Sequence, residues 1–250
     1  TEWCRSGPAA CSRSLHPAAF VVPHVRMAST EAKPKRNLPG TSASQLFQFK
    51  IEEKFEDLQG QFASQEYLQH LIRSDPADII RICAVPPGQD KAVWILEHLR
   101  SALCELHALV VALDGLCTKD TCPMMIATKD WEFLCAAHPK EPKKCCAIDY
   151  ILHTLNGFTA LVNNAELFPS RVRVPPKSTK FFGSIARRLY RVFAHAYFHH
   201  KEQFDAFEAE THLTKRYLTF CLQNELMTAK EATPKIDLPD FKMDQVQVLK

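Results

Sequence analysis

Glycine is scarce in this 250-residue chain, which has seven, and no Gly-rich phosphate-binding loop is present. The His-Arg-Asp motif is missing too, so both sequence signatures of a protein kinase are absent and we exclude that class. No apolar run approaches the ~20 residues that a membrane-spanning helix needs, so we expect peripheral membrane association at most. There is no internal repeat. What is left is the pattern of a globular domain.

The chain has little excess of either charge, because 31 Lys and Arg against 28 Asp and Glu leave a formal net charge of +3. So weak a basic balance gives no reason to expect a nucleic-acid partner. The hydrophobic fraction of 46% suits a globular protein of this length. Ten cysteines follow no clear secretory signal. We therefore expect reduced thiols in the cytosol, some of them bound to metal.

Composition divides the chain into three parts. Residues 1–36 are rich in Ala, Ser, Pro and Arg, which predicts a disordered extension; the alternatives are an organelle-targeting peptide or residues upstream of a start at Met27. Residues 37–227 carry the apolar pattern of a folded domain, beginning with an extended arm over 38–62. Residues 228–250 contain charges, two prolines and no strong period, which predicts a flexible tail.

Apolar residues at three- and four-residue steps predict a mainly α-helical domain. The longest helix begins at a capping Asp90, ends at Gly115 and has apolar positions around much of its circumference, as a central bundle helix would. The other predicted helices cover residues 64–73, 76–83, 149–164, 184–207 and 211–226.

Two short apolar runs, 131–135 and 145–150, flank a polar loop and predict a small β-hairpin. The second run contains adjacent cysteines, Cys145 and Cys146. We interpret these as packing or surface thiols, with a vicinal metal or redox pair as the alternative.

The segment 184–207 carries more potential binding groups than any other, and we predict it to be one helix capped by Ser184. Side chains three and four residues apart lie along one stripe of a helix. That stripe comprises Arg187, Arg188, Arg191, His195 and His199. A solvated basic face beside a core stripe is the alternative interpretation.

Cys117 and Cys122 are separated by four residues, which lies within the usual spacing of a zinc pair. Two histidines of the arginine-rich helix would complete a tetrahedral site for a borderline metal. Spacing favours His195 with His199, while His200 lies on the adjoining face. The gap between the pairs is too long for a DNA-binding finger, so the metal would join two remote parts of one domain. Two unpaired thiols and core histidines are the alternative.

Together these stretches resemble the Mob family of small zinc-bound adaptor proteins, most closely its phocein branch. The matching segments span residues 36–226, and the last of them is the most specific. They are RNLPGT (36–41), PPGQD (86–90), CTKDTCP (117–123), FLCAAH (133–138), AIDY (147–150), HTLNG (153–157), FPSR (168–171) and RRLYRVFAHAYFHH (187–200).

The resemblance implies a helical core around a four-helix bundle with one structural Zn²⁺. It implies that the zinc ligands are Cys117, Cys122, His195 and His200, which replaces His199 of the spacing argument. It also implies a phosphopeptide pocket formed by Arg187, Arg188 and Arg191. The chemistry agrees, because guanidinium groups bind phosphate bidentately.

By the same resemblance we expect a non-catalytic adaptor in a striatin-type phosphatase–kinase complex. Its partners would be a striatin-family scaffold, protein phosphatase 2A and germinal-centre kinases. The location would be the cytoplasm, with peripheral association at Golgi or vesicle membranes and a role in vesicle traffic. The alternative is a coactivator of nuclear-Dbf2-related kinases. A zinc hydrolase is a remote alternative, because two Cys and two His would fill the coordination shell of the metal. In addition, Ala196 occupies the position where a His-Glu-x-x-His motif has Glu.

Overall fold

The computed structural model describes residues 39–42, 45, 54–138 and 141–246. The predicted extension at 1–36 and part of the predicted arm lie outside this range. Within it the chain is mainly α-helical, as the apolar spacing predicts, and two 3-10 helices cover Phe55–Asp57 and Met243–Gln245. The α-helices are α1 (Ala63–Ser74), α2 (Ile79–Cys83), α3 (Lys91–Ala112), α4 (Ala147–Val162), α5 (Pro176–His199), α6 (Lys201–Thr211) and α7 (Leu213–Gln223).

Helix α3 is the centre of the molecule, in agreement with its apolar circumference. It contacts α1, α4, α5, α6 and α7, while α4 and α5 also contact each other. Its side chains Trp94, Leu96 and Leu106 are completely buried. Asp90 caps it as predicted, because the Asp90 carboxylate accepts a 2.9 Å hydrogen bond from the Val93 N–H. Across the described part of the chain, every helix is too short or too polar to cross a membrane.

The arginine-rich segment departs from prediction at both ends. Helix α5 begins at Pro176, because proline at the first helical position has a suitable φ and lacks only an N–H that would be unpaired there. Ser184 is therefore inside the helix and does not cap it. At His200 the backbone leaves the helical region, with φ −136° and ψ 49°, so 184–207 is divided between α5 and α6.

The predicted β-hairpin is wrong for its second strand, because residues 147–150 form the first turn of α4. Ala147, Tyr150 and Ile151 are buried at helical spacing, and so short an apolar run does not distinguish a strand from a helix. Between α3 and α4, the β-structure of the described residues consists of two isolated antiparallel bridges, Ile126 with Glu132 and Cys135 with Lys143.

Residues 228–246 lie packed on the helical domain, unlike the free tail that their composition predicts. Apolar side chains at irregular spacing enter the core separately, which a search for periodicity cannot detect. The Tyr190 hydroxyl on α5 also donates a hydrogen bond to the Pro234 carbonyl. The buried residues of this segment are Ala232, Ile236, Leu238 and Met243.

Candidate metal centres and arginine site

Two cysteines from the loop after α3 meet two histidines from the end of α5. Gly115, with φ +72°, turns the chain out of α3 and leads it to the first cysteine. All four side chains are buried, and their ligand atoms lie within 4.8 Å of one another. The structure thus brings together Cys117, Cys122, His195 and His200. We call this group the first donor cluster.

The distances in the first donor cluster suit zinc. Cys117 Sγ is 3.5 Å from His195 Nε2, and Cys122 Sγ is 3.5 Å from His200 Nε2. Tetrahedral zinc, with Zn–S near 2.3 Å and Zn–N near 2.0–2.1 Å, separates S and N by about 3.5 Å. The His195 Nδ1–H donates to the Ile126 carbonyl at 2.7 Å, which leaves Nε2 as the lone-pair nitrogen facing the sulfurs.

Burial sets the protonation of these groups before any metal binds. Together with the neighbouring Cys122, it raises the pKa of Cys117 to about 12. Burial lowers the pKa of His195 to about 4, so that its imidazole is neutral at physiological pH, as ligation requires. Burial also lowers the pKa of His200. A bound cation would reverse the effect on the thiol, because zinc ligates thiolate.

The structure decides between the two candidate histidines. The His199 side chain is exposed, and its ring stacks on that of His195 with centroids 4.8 Å apart. His200 is 8% exposed and faces Cys122. The spacing argument fails because α5 ends at His199, so the next side chain no longer follows the helical stripe.

A second donor cluster lies at the start of α4. Its four ligand atoms also fall within 4.8 Å of one another, with Cys135 buried and the other residues partly buried. Cys135 Sγ is 3.6 Å from His153 Nδ1, and His138 Nε2 is 3.0 Å from Cys145 Sγ. The set Cys135, His138, Cys145 and His153 therefore has the donor types and the spread of a second tetrahedral site.

Sequence reasoning missed this cluster. It compared Cys145 with its neighbour Cys146, which is not one of the four donors. The available signal was the Cys-x-x-His spacing of Cys135 and His138, within the range for zinc pairs. The fold completes the set, because the bridge of Cys135 with Lys143 returns the chain to the N-terminus of α4.

Two of the three predicted arginines are held by aromatic residues. Arg191 donates a 2.9 Å hydrogen bond to the Tyr150 hydroxyl and lies 5.0 Å from the Phe133 ring centroid. Arg188 lies 5.9 Å from the ring centroid of Phe158 on α4. Among the described residues no carboxylate comes within 4.0 Å of either guanidinium. Both keep their charge available for an anion.

Arg187 behaves differently. Its side chain is 43% exposed and forms an ion pair with Glu231, with Nη1 and Oε1 3.4 Å apart. Arg188 and Arg191 thus contact α4 and the segment before it. Arg187 instead contacts residues 228–246, which we call the C-terminal segment. The predicted trio shares one helix but not one environment.

A cleft with a volume of about 390 Å³ lies elsewhere, between α1 and α3. Leu68 and Ile72 line it together with several charged side chains. Glu97 in this cleft already accepts a 2.7 Å hydrogen bond from Arg171. None of its lining residues belongs to a donor cluster or to the trio of Arg187, Arg188 and Arg191, so the cleft is a separate feature.

Comparison with known proteins identifies close relatives. Residues 69–235 match the family model described as the Mob1/phocein family. The chain is 42% identical over 214 residues to the Drosophila melanogaster protein "MOB kinase activator-like 4", covering 86% of this chain and 95% of that protein. It is 43% identical over 211 residues to the Caenorhabditis elegans "MOB-like protein phocein", covering 84% and 93%. The Schizosaccharomyces pombe "Maintenance of ploidy protein mob1" is 30% identical over 163 residues, covering 62% and 78%.

Proposed function

Because this chain belongs to the Mob1/phocein family, we propose that it is a non-catalytic adaptor subunit of a striatin-type phosphatase–kinase complex. The observation that carries the proposal is its similarity to phocein-type relatives over nearly their whole length. The proposed partners are a striatin-family scaffold, protein phosphatase 2A and germinal-centre kinases. The proposed location is the cytoplasm, with peripheral association at Golgi or vesicle membranes and a part in vesicle traffic.

We further propose that both donor clusters hold structural zinc. Each cluster supplies four protein ligands, which fills a tetrahedral shell and leaves no position for a substrate or an attacking water. This geometry supports an adaptor over a hydrolase. Bound zinc would supply folding free energy. The first cluster would join the end of α3 to the end of α5, and the second would join the bridged segment to α4.

Arg188 and Arg191 are the proposed phosphate ligands, with Arg187 at the edge of the site. A phosphorylated side chain carries roughly −1.5 to −2 charge and three acceptor oxygens, which two guanidinium groups can bind by paired hydrogen bonds. Aromatic contacts hold both groups in place, so less side-chain entropy is lost on binding than for a free arginine.

Affinity purification tests the adaptor proposal directly. The tagged chain expressed in cells should recover a striatin scaffold together with protein phosphatase 2A. Recovery of a nuclear-Dbf2-related kinase without striatin would replace this proposal with the coactivator alternative. The cleft between α1 and α3 favours that alternative as the second candidate, because Leu68 and Ile72 offer apolar contacts among charged side chains for an amphipathic helical segment of a kinase.

Arg188→Ala tests the phosphate site. A library of phosphothreonine peptides, with its unphosphorylated copy as reference, identifies a binding peptide. Loss of a charge-assisted contact costs about 1.5–3 kcal/mol, so we expect roughly 10- to 150-fold weaker binding by calorimetry. The matched control is Arg173→Ala, an exposed arginine ahead of α5. Equal affinity of both variants would return Arg188 to the solvated basic face.

A further inference from the structure

Glu231 is fixed in place beside the arginine site. One carboxylate oxygen lies 3.4 Å from Arg187 Nη1. The other accepts hydrogen bonds from the Thr228 N–H at 2.8 Å and the Thr228 hydroxyl at 3.0 Å. The Thr228 N–H, with help from Arg187, holds the pKa of Glu231 below its usual value. The carboxylate is therefore ionised at physiological pH and tied to its own turn.

The C-terminal segment holds this turn against the domain. Ala232, the residue after Glu231, is completely buried. The Tyr190 hydroxyl donates a hydrogen bond to the Pro234 carbonyl two residues further on. The backbone at Glu231 thus cannot move away from the site without unpacking the segment, which distinguishes Glu231 from a carboxylate on a free surface loop.

The Arg187 guanidinium occupies space that a side chain at Gly183 would otherwise fill. A Cβ at Gly183 would lie 3.1 Å from Arg187 Nη1 and 3.1 Å from the Leu226 carbonyl oxygen. The guanidinium therefore lies over the glycine, one turn back along α5, and faces the C-terminal segment. The missing side chain at Gly183 makes room for the pair of Arg187 and Glu231.

These contacts give the site a positively charged part, at Arg188 and Arg191, and a negatively charged edge, at Glu231. Arg188 and Arg191 have no acidic partner in the described structure, whereas the edge at Arg187 carries a fixed negative charge. A phosphate bound by Arg188 and Arg191 also attracts Arg187. The ion pair of Arg187 with Glu231 is then weakened, and the Glu231 carboxylate can pair with another cation. A lysine or arginine of the partner can supply it, while an acidic residue there would be repelled.

We propose that Glu231 is a specificity-determining residue of the phosphopeptide site, selecting partners with a lysine or arginine near the phosphorylated residue. The inference rests on the proposed phosphopeptide function. Neighbouring turns of a helix place side chains roughly 5–6 Å apart, so Glu231 lies on the order of 10 Å from a phosphate on Arg188 and Arg191. An extended peptide covers about 3.3 Å per residue, so the basic residue falls within about three positions of the phosphate.

The test uses the full chain and the phosphothreonine peptide selected from the library. Arginine, glutamine and glutamate are placed in turn at each of the three positions on either side of the phosphothreonine. For the wild type we expect one position where arginine binds roughly two- to fivefold more tightly than glutamine, the range for an exposed ion pair. In Glu231→Gln, which keeps an acceptor for Thr228 and so should fold, the ratio should fall to about one.

Two further variants complete the design. Asp237→Asn removes the same charge from an exposed position of the same segment, and it should keep the wild-type ratio. Glu231→Lys should invert the preference towards glutamate. If phosphopeptides bind but Glu231→Gln and wild type show equal ratios at every position, the inference is overturned and the proposed function stands. If neither protein binds any phosphopeptide, the proposed phosphopeptide site fails and the inference with it, while the adaptor role still depends on the affinity purification.

Discussion

Cys117 and His195 show how burial controls chemistry at the scale of a residue. Water is excluded from both, so the thiol resists ionisation and the imidazole resists protonation. The neutral imidazole keeps a lone pair on one nitrogen, and this lone pair can ligate a metal cation together with the cysteine sulfur. The two donor clusters are the only such groups of three or more metal-ligating side chains within the described ranges.

Cys117→Ser should remove the zinc of the first cluster. Wild type should contain two zinc ions per chain by elemental analysis, and the variant one. A structural zinc contributes directly to folding, so we expect a loss of more than about 3 kcal/mol and a drop in Tm of about 10 °C. Cys135→Ser should likewise lose one zinc, from the second cluster. The matched control is Cys104→Ser, an exposed thiol of α3, and a similar Tm for Cys117→Ser and this control would contradict the first site.

His98 is a partly buried histidine of α3 that belongs to neither donor cluster. Its ring stacks on Phe220 with centroids 3.7 Å apart and meets the Trp94 ring edge-on at 4.9 Å. Its Nε2 has no hydrogen-bond partner within the described structure. Burial, followed by the charge of Arg216, holds the pKa of His98 well below 6.5.

Acid should therefore destabilise the protein through His98. Below about pH 6.5 the unfolded chain binds a proton at this residue and the folded chain does not, so the free energy of unfolding falls. At pH 5.5 the expected loss is about 1.4 kcal/mol relative to pH 7.5. Urea unfolding with saturating zinc should show this extra loss in the wild type and not in His98→Phe. Identical pH slopes would mean that His98 titrates normally in the fold.

At the scale of an element, helix ends decide the position of the functional groups. The break at His200 turns that ring towards Cys122, and the start of α4 at Ala147 places His153 near Cys135. These ends follow from local chemistry where a capping group is present, as at Asp90. They follow from packing where none is present, as at His200.

Asp90→Ala should destabilise the central helix. The carboxylate satisfies the Val93 N–H, one of the donors that a helix leaves unpaired at its start. We expect a loss of about 1 kcal/mol and a decrease in Tm of roughly 2–4 °C by calorimetry. Asp90→Asn keeps the acceptor and serves as the control. Equal decreases for both variants would show that the negative charge, and not the cap, matters.

At the scale of the whole molecule, the C-terminal segment is part of the domain. It buries Ile236, Leu238 and Met243 and brings Glu231 to Arg187. An apolar side chain contributes roughly 1.5–3 kcal/mol when fully buried, so the segment contributes to stability as well as to the arginine site.

Removal of residues 228–250 should therefore lower the free energy of unfolding by about 4 kcal/mol or more, because three apolar contacts and the bond from Tyr190 are lost. Chemical unfolding of the two proteins measures the difference. Deletion of residues 247–250 alone, which leaves Ile236, Leu238 and Met243 in place, provides the control. Unchanged stability on the longer deletion would restore the interpretation of a free tail.

The sequence alone was sufficient for the properties that depend on near neighbours. Apolar spacing predicted the helical class and the buried α3, and the Asp90 cap was identified by residue type. The spacing of Cys117 and Cys122 identified half of the first cluster. The β-hairpin prediction failed because the run at 145–150 was too short to distinguish strand from helix.

Only the tertiary structure decided the contacts between distant parts of the chain. The family resemblance already implied His200, and the fold places it beside Cys122 where spacing favoured His199. The fold alone gathered the second donor cluster and divided the arginine trio by placing Glu231 beside Arg187. Helix periodicity, caps and ligand spacing are set within a few residues, so they can be read along the chain. Contacts between remote segments depend on how whole helices pack around α3, and no local pattern specifies that packing.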